Sequence, residues 1–267
     1  MKRYWSEFSS PDLAALDCDR LIAVLPVSAI EQHGPHLPLS VDTTIVEGII
    51  DRVIAQLPDD LPVVFLPTQR IGKSNEHACF PGTLTLSLET LVRLWMEIGD
   101  CVAATGVRKM VILNSHGGQG MVGEIVARDL RVKHNMLVVA TNTYSFGTPA
   151  GMFTAAETQH GIHGGDKETS VVLALRPDLV DMGKAVNFRS SAETLVTDTK
   201  HLSINARAKL GWQIQDLNPA GACGDASLAT AQKGQGVIDH VAIHFIEMLR
   251  DLDEMSPDWL TARTGLK

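Results

Sequence analysis

Four short, largely apolar runs recur along this 267-residue chain: 21–27, 61–67, 109–114 and 136–142. Each leads into a stretch rich in polar residues, glycine or proline, and then into residues with helical spacing. Runs of six or seven apolar residues are too short for buried helices and read as strands buried on both faces. Strands that alternate with helices belong to a mainly parallel sheet with helices on both sides, so the fold class is α/β. The helices are expected at 42–56, with Ile45, Ile49, Ile50 and Val53 inward, at 87–104, with Leu88, Leu91, Leu94, Trp95 and Ile98 inward, and at 121–133 and 167–175. A short helix over 9–19, capped by Ser10, should precede the first strand. A last helix should run from Ser227 to Leu252 with a break near Gly234. Residues 145–165 read as loop, and 185–218 as irregular chain covering a site. No linker or repeat interrupts the pattern, so 1–267 reads as a single domain.

The formal net charge of -8, with no Lys/Arg-rich run, speaks against nucleic acid and anionic membrane surfaces as partners. Cys18, Cys79, Cys101 and Cys223 have no CxxC pairing and read as reduced thiols. No apolar run reaches spanning length, and the N-terminal residues lack the apolar core of a signal peptide. A cytoplasmic protein is expected.

Chemistry concentrates in four loops, at least three of which follow a strand and so share one edge of the sheet, where open parallel sheets bind ligands. The first offers Glu31, His33, His36 and Asp42; the second Glu76 and His77; the third Asn114 and His116; the fourth His163, Asp166 and Glu168. Taken singly, each residue has an ordinary structural role: Asp42 as a helix cap, Glu168 as a first-turn carboxylate. Five of the ten histidines nevertheless fall in these loops, each with Asp, Glu or Asn nearby. Neutral imidazole with carboxylate suits zinc, manganese or iron. The glycine pairs Gly117-Gly118 and Gly164-Gly165 let backbone approach a ligand closely. Gly72-Lys73-Ser74 lacks the upstream glycine of a phosphate-binding loop, and no Gly-x-Ser-x-Gly elbow is present. Cys79, two residues beyond His77, is a weak nucleophile candidate.

Glu31-Gln32-His33-Gly34-Pro35-His36-Leu37-Pro38 followed by Asp42 resembles the signature of the creatininase (creatinine amidohydrolase) family. Supporting stretches are Glu76-His77 with Phe80-Pro81-Gly82-Thr83, Asn114-Ser115-His116-Gly117-Gly118, and His163-Gly164-Gly165-Asp166-Lys167-Glu168-Thr169-Ser170. The resemblance runs from about Leu21 to Leu249. It implies a three-layer α/β/α sandwich and a hydrolase with two divalent metal ions, zinc and/or manganese with iron as a further option, that cleaves a C–N amide bond and commonly assembles as a homohexamer. By position, Glu31 and His116 would bind one metal, His33 the other, and Asp42 both. His163 matches the family's catalytic histidine, which passes a proton to the leaving nitrogen. Glu76 and His77 are taken as further catalytic residues.

Two departures matter. Creatininase has a further ligand, a glutamate, two residues after the metal-binding histidine, where this chain has Gly118. The fifth ligand is therefore expected from Glu168, with Asp166 the alternative; His36 and Asn114 are assigned to support. Creatininase also surrounds its substrate ring with tryptophans, whereas Trp5, Trp95, Trp212 and Trp259 all lie outside 140–165. Tyr144, Phe146 and Phe153 are the aromatic alternatives there. The substrate is thus expected to be a small amide, whether a cyclic amide or lactam, a formamide of the flavin or deazaflavin type, or a peptide-type bond. A phosphorylated formamide would need cations such as Arg70, Lys73 or Lys167. A metal-binding homologue without activity is the alternative to an enzyme.

Overall fold

The computed structural model describes residues 1–204 and 208–262. Its sheet has four parallel strands: β1 (Ile22–Val27), β2 (Val63–Phe65), β3 (Lys109–Asn114) and β4 (Leu137–Asn142), in the order β2-β1-β3-β4. The helices are α1 (Ser10–Ala14), α2 (Val41–Gln56), α3 (Leu88–Ala104), α4 (Gly120–His134), α5 (Ala155–His160), α6 (Asp166–Leu175), α7 (Ala192–Asp198), α8 (Ile214–Leu217), α9 (Ala231–Glu254) and α10 (Trp259–Ala262). Alternate residues of each strand serve opposite cores, as a period of two demands. Ile22 and Val24 of β1 and Val111 and Leu113 of β3 face the core built with α2, α6 and α9. Ala23, Leu25 and Val27, with Met110 and Ile112, face the core built with α3 and α4. The result is a three-layer α/β/α sandwich.

This strand order creates a switch point. From β1 the chain crosses to β2 on one side, and from β3 to β4 on the other. The loops that leave β1 and β3 therefore diverge, opening a crevice beyond the strand ends.

Several boundaries differ from the sequence reading. The first helix is only Ser10–Ala14, and Ser9, not Ser10, caps it by accepting from the Asp12 N–H. The second strand shrinks to Val63–Phe65 between Pro62 and Pro67, which cannot donate to a ladder. The expected loop 145–165 contains α5, capped by Thr154 accepting from the Glu157 N–H. Residues 185–218 contain the short strands β5 (Asn187–Phe188), β6 (Leu202–Ser203) and β7 (Ala208–Lys209) as well as α7 and α8. A two-residue strand β8 (Gly224–Asp225) pairs antiparallel with β5.

The long helix α9 is unbroken at Gly234. A lone glycine costs a helix only about 1 kcal/mol, and here packing explains it. A Cβ at 234 would strike the Ser170 carbonyl and the Val171 nitrogen of α6. Gly234→Ala should therefore lower stability: the helix-propensity gain of ~1 kcal/mol is outweighed by overpacking of ~1–3 kcal/mol or more against rigid backbone. A urea unfolding midpoint at or above that of the wild type would contradict this packing account.

Candidate metal centre

The site forms at the switch point, beyond β1 and β3. Glu31 and His33 lie on the loop after β1, and Asp42 lies in the first turn of α2 at the loop's far end. Asp42 does not cap that helix; Ser40 holds the N-cap position, which leaves the Asp42 carboxylate free to turn inward. His116 follows β3 directly. Glu76 and His77 sit in a single helical turn after β2, and His163 precedes α6, where Glu168 lies in the first turn. Glu31, His33, Asp42, His77 and His116 are almost wholly buried. Glu168 and Glu76 are more open, with side chains 26% and 13% exposed.

Four imidazole nitrogens converge on Glu31 Oε1: His116 Nδ1 at 3.2 Å, His77 Nε2 at 3.6 Å, and His33 Nε2 and His163 Nδ1 at 3.8 Å each. Asp42 turns Oδ1 to His33 Nε2 at 3.6 Å and Oδ2 to His116 Nδ1 at 3.5 Å. It therefore stands between the two rings. Glu168 Oε2 lies 3.9 Å from His33 Nε2.

The ring tautomers follow from their partners. His33 Nδ1 is 3.1 Å from the Glu31 carbonyl, which can only accept, so Nδ1 carries a proton and Nε2 is the nitrogen turned to the carboxylates. His116 Nε2 is 3.0 Å from the Lys73 carbonyl, so Nε2 is a donor and Nδ1 is the nitrogen turned to the carboxylates. Each inward nitrogen can hold either a proton or a metal ion. Glu31 Oε2, His33 Nε2 and Asp42 Oδ2 are buried with no hydrogen-bond partner. Orphaned carboxylate oxygens beside inward-facing imidazole nitrogens are a donor set that fits a divalent cation. The ligand atoms of Glu31, Asp42 and His116 lie within 4.8 Å of one another, as do those of His33, Asp42 and Glu168.

The charge balance fits as well. Burial pushes the His33 pKa down, but the facing carboxylates of Asp42, Glu168 and Glu31 outweigh it and raise it to about 9. His116 is likewise disfavoured as a cation by burial, yet Glu31, Glu76 and Asp42 lift it well above its ordinary value. Burial and the Glu31 charge raise Asp42 to about 6. The cluster demands positive charge, which protons and a metal ion compete to supply.

The remaining expected residues divide by what they touch. Asp166 turns away, to Lys233 Nζ at 2.6 Å and Ser170 Oγ at 3.0 Å. His36 meets Thr169 Oγ1 at 2.9 Å and stacks on Phe188. Asn114 braces the His116 segment, donating to the His116 carbonyl and accepting from its N–H. The Glu76 carboxylate fills the space that a side chain at Gly118 would take, with Oε1 3.3 Å from His116 Nε2. Cys79 is exposed and bonds Gln215, away from the centre. Phe146 packs on Phe245, and Arg70 pairs with Glu47.

Three supporting residues had no signal in the sequence beyond their position. Gln119 bonds Ser28 O, Asn114 Oδ1 and Lys73 N, tying together the loops after β1, β3 and β2. The buried Glu157 carboxylate accepts from the N–H groups of Lys167 and Asp225, holding the start of α6 against β8. Gln32, inside the first motif, bonds the neighbouring histidines.

A parallel α/β/α sandwich with a buried His/Asp/Glu cluster at its switch point defines a metallohydrolase-like class. The family model described as creatinine amidohydrolase matches residues 6–249, and the chain belongs to that family. It is 30% identical to a mycofactocin precursor peptide peptidase of Mycolicibacterium smegmatis over 92% of this chain and 88% of that protein. It is also 30% identical to a creatinine amidohydrolase of Pseudomonas putida, over 68% and 74% of the two chains. Among solved structures, a manganese creatininase superimposes with TM-score 0.70 at 21% identity, and a mutant creatininase of Zn-Zn type with 0.72 at 22%. Each alignment covers 96% of this chain and 100% of the other.

Zinc titrated into the protein at pH 7 should displace protons held by His33 and His116, and its affinity should fall as pH falls from about 9 through about 6. Calorimetry in buffers of different ionisation enthalpy measures this; binding without proton release would contradict the ligand set.

Proposed function

We propose that the protein hydrolyses the C–N bond of an amide with two divalent metal ions held by Glu31, His33, Asp42, His116 and Glu168. The observation that carries this reading is the pair of inward-facing histidine nitrogens, His33 Nε2 and His116 Nδ1, flanking an Asp42 that turns one oxygen to each. That arrangement suits a carboxylate shared by two ions. The mixed nitrogen and oxygen donors suit zinc or manganese, with iron possible on the same chemistry, and creatininases of known structure carry the first two. When bound, such ions supply Lewis acidity, lowering the pKa of a water and polarising the scissile carbonyl.

The chain's own groups supply the rest. His163 presents Nδ1 to the centre and is only slightly exposed, placed to take a proton from the attacking water and return it to the leaving nitrogen. Burial, helped by the neighbouring His33, lowers its pKa to about 4, which keeps the ring neutral and able to accept. Glu168 accepts from the Gly164 N–H at 2.6 Å, coupling the histidine loop to the ligand set. Glu76 orients His116.

Creatinine itself fits poorly. Trp95, on α3, is buried in the core, and Trp212 packs near Ile214 and Leu217. The substrate is better sought among amides that need no tryptophan cage, and the peptidase named among the relatives puts peptide amides on the panel beside cyclic amides and formamides. The protein is further proposed to be a cytoplasmic homo-oligomer, a hexamer by family resemblance. Exposed Met121, Ile125 and Val132 on α4 give an apolar surface for such contacts. No described helix is long and apolar enough to cross a membrane.

Zinc- or manganese-loaded protein should cleave at least one amide of that panel. His163→Ala should lower kcat by about 10²–10⁴ with metal content unchanged, and Glu31→Gln should lose metal. Metal analysis beside the activity assay separates these outcomes. Full metal content with no turnover across the panel would favour a metal-binding protein without activity.

A further inference from the structure

His77 and His163 stack face to face, with ring centroids 4.1 Å apart, and both address the same oxygen, Glu31 Oε1. What each offers there is decided by Gln32, a buried residue with every polar atom engaged. Its Oε1 accepts from the Gly34 N–H at 2.9 Å. Its Nε2 donates to the Gly221 carbonyl at 2.8 Å. A backbone N–H can only donate and a backbone carbonyl can only accept, so the two ends of the amide are assigned independently and agree. Gly221, at φ +79°, has no side chain to collide with this amide. The second amide hydrogen of Gln32 faces His77 Nδ1 at 2.8 Å. That nitrogen must therefore hold a lone pair, and the ring proton lies on Nε2, aimed at the centre. On the other ring, His163 Nε2 lies 2.6 Å from the Gln32 backbone carbonyl and 3.3 Å from Gln32 Nε2; the amide's two hydrogens are committed to Gly221 and His77, so the ring Nε2 donates to the carbonyl and Nδ1 faces the centre as an acceptor. Both rings are the same tautomer, but they enter the site by opposite edges.

We propose that Gln32 is a positioning residue that makes His77 a hydrogen-bond donor to the substrate carbonyl oxygen while leaving His163 as the proton acceptor. This rests on the amide-hydrolysis reading above. In that reaction the water oxygen bonds to the carbonyl carbon and the C–N bond breaks. One water proton passes through His163 Nδ1 to the departing nitrogen, and the acid product releases the other to solvent. His77 exchanges no proton; its N–H steadies the charge that grows on the carbonyl oxygen. The same tautomer removes His77 from the set of metal ligands, because a nitrogen that carries a proton has no lone pair to offer.

The test is direct. In zinc-loaded protein with ¹⁵N-labelled histidine, long-range proton–nitrogen spectra report which nitrogen of each ring is protonated, with assignment by His77→Asn. Both His77 and His163 should carry the proton on Nε2. Gln32→Glu, which has no amide hydrogen to give, should move the His77 proton to Nδ1; Gln32→Met, whose side chain cannot bond His77, should release it to a mixture while the residue 32 carbonyl still holds His163. His77→Ala should lower kcat about 10²–10³-fold, the loss expected for one oxyanion donor, with zinc content unchanged. A wild-type His77 protonated on Nδ1, an unchanged kcat in His77→Ala, or loss of zinc in that variant would each overturn the proposal. The spectra need no substrate, so a failure to find an amide that the enzyme cleaves leaves the tautomer result standing on its own.

Discussion

Glu31 is the charge on which the rest of the site depends. An ionised carboxylate this deeply buried costs several kcal/mol unless it is paired and hydrogen-bonded, and Glu31 is 1% exposed with one oxygen lacking any hydrogen-bond partner. Burial alone would drive its pKa up. The surrounding histidines, His116 first, reverse that and hold it well below the ordinary glutamate value. Four imidazoles therefore gather round one oxygen, and a second carboxylate, Asp42, stands among them. Such a concentration of charge is unstable as ordinary packing and favourable as a cation site, which is why its geometry carries the functional reading.

The fold makes this concentration possible by divergence at the sheet's centre. Because β1 leads to one side and β3 to the other, the loops beyond them leave room for a pocket that neither strand fills. The helices then close it: α2 brings Asp42 from one end of the first loop, and α6 brings Glu168. Close packing of α9 on α6 at Gly234 fixes where Glu168 can be. An antiparallel bridge between His163 and Cys223 holds the histidine loop from the opposite side.

A layer of uncharged groups sits behind the clustered histidines and carboxylates and governs which atoms of the imidazoles face inward. Backbone carbonyls of Glu31, Lys73 and Gln32 each take a ring N–H. Gln32 and Gln119 join loops that are far apart in the chain, Gln32 reaching Gly221 and Gln119 reaching Ser28 and Lys73. Ring orientation is thus a property of backbone placement, and a change in any one of these loops alters the chemistry without touching a charged residue.

The strand–helix alternation, the four loops and the histidine–carboxylate clustering were legible in the residues themselves, because apolar periodicity and ligand chemistry are local properties. The motif around Glu31 carried the family as well. Other features were missed or were not legible. The Thr154-x-x-Glu157 pattern was a helix-start signal that the reading of 145–165 as loop passed over, whereas no local rule says that Gly234 spares a helix crossing instead of breaking a helix. The choice between Asp166 and Glu168 could be posed in one dimension, but their directions depend on Lys233 approaching from α9, 67 residues away. Likewise the space left at Gly118 is filled by Glu76 from another loop. Sequence determined which chemistry is available; tertiary structure decided which atoms meet, because lone-pair direction and burial depend on contacts between segments that are distant in the chain.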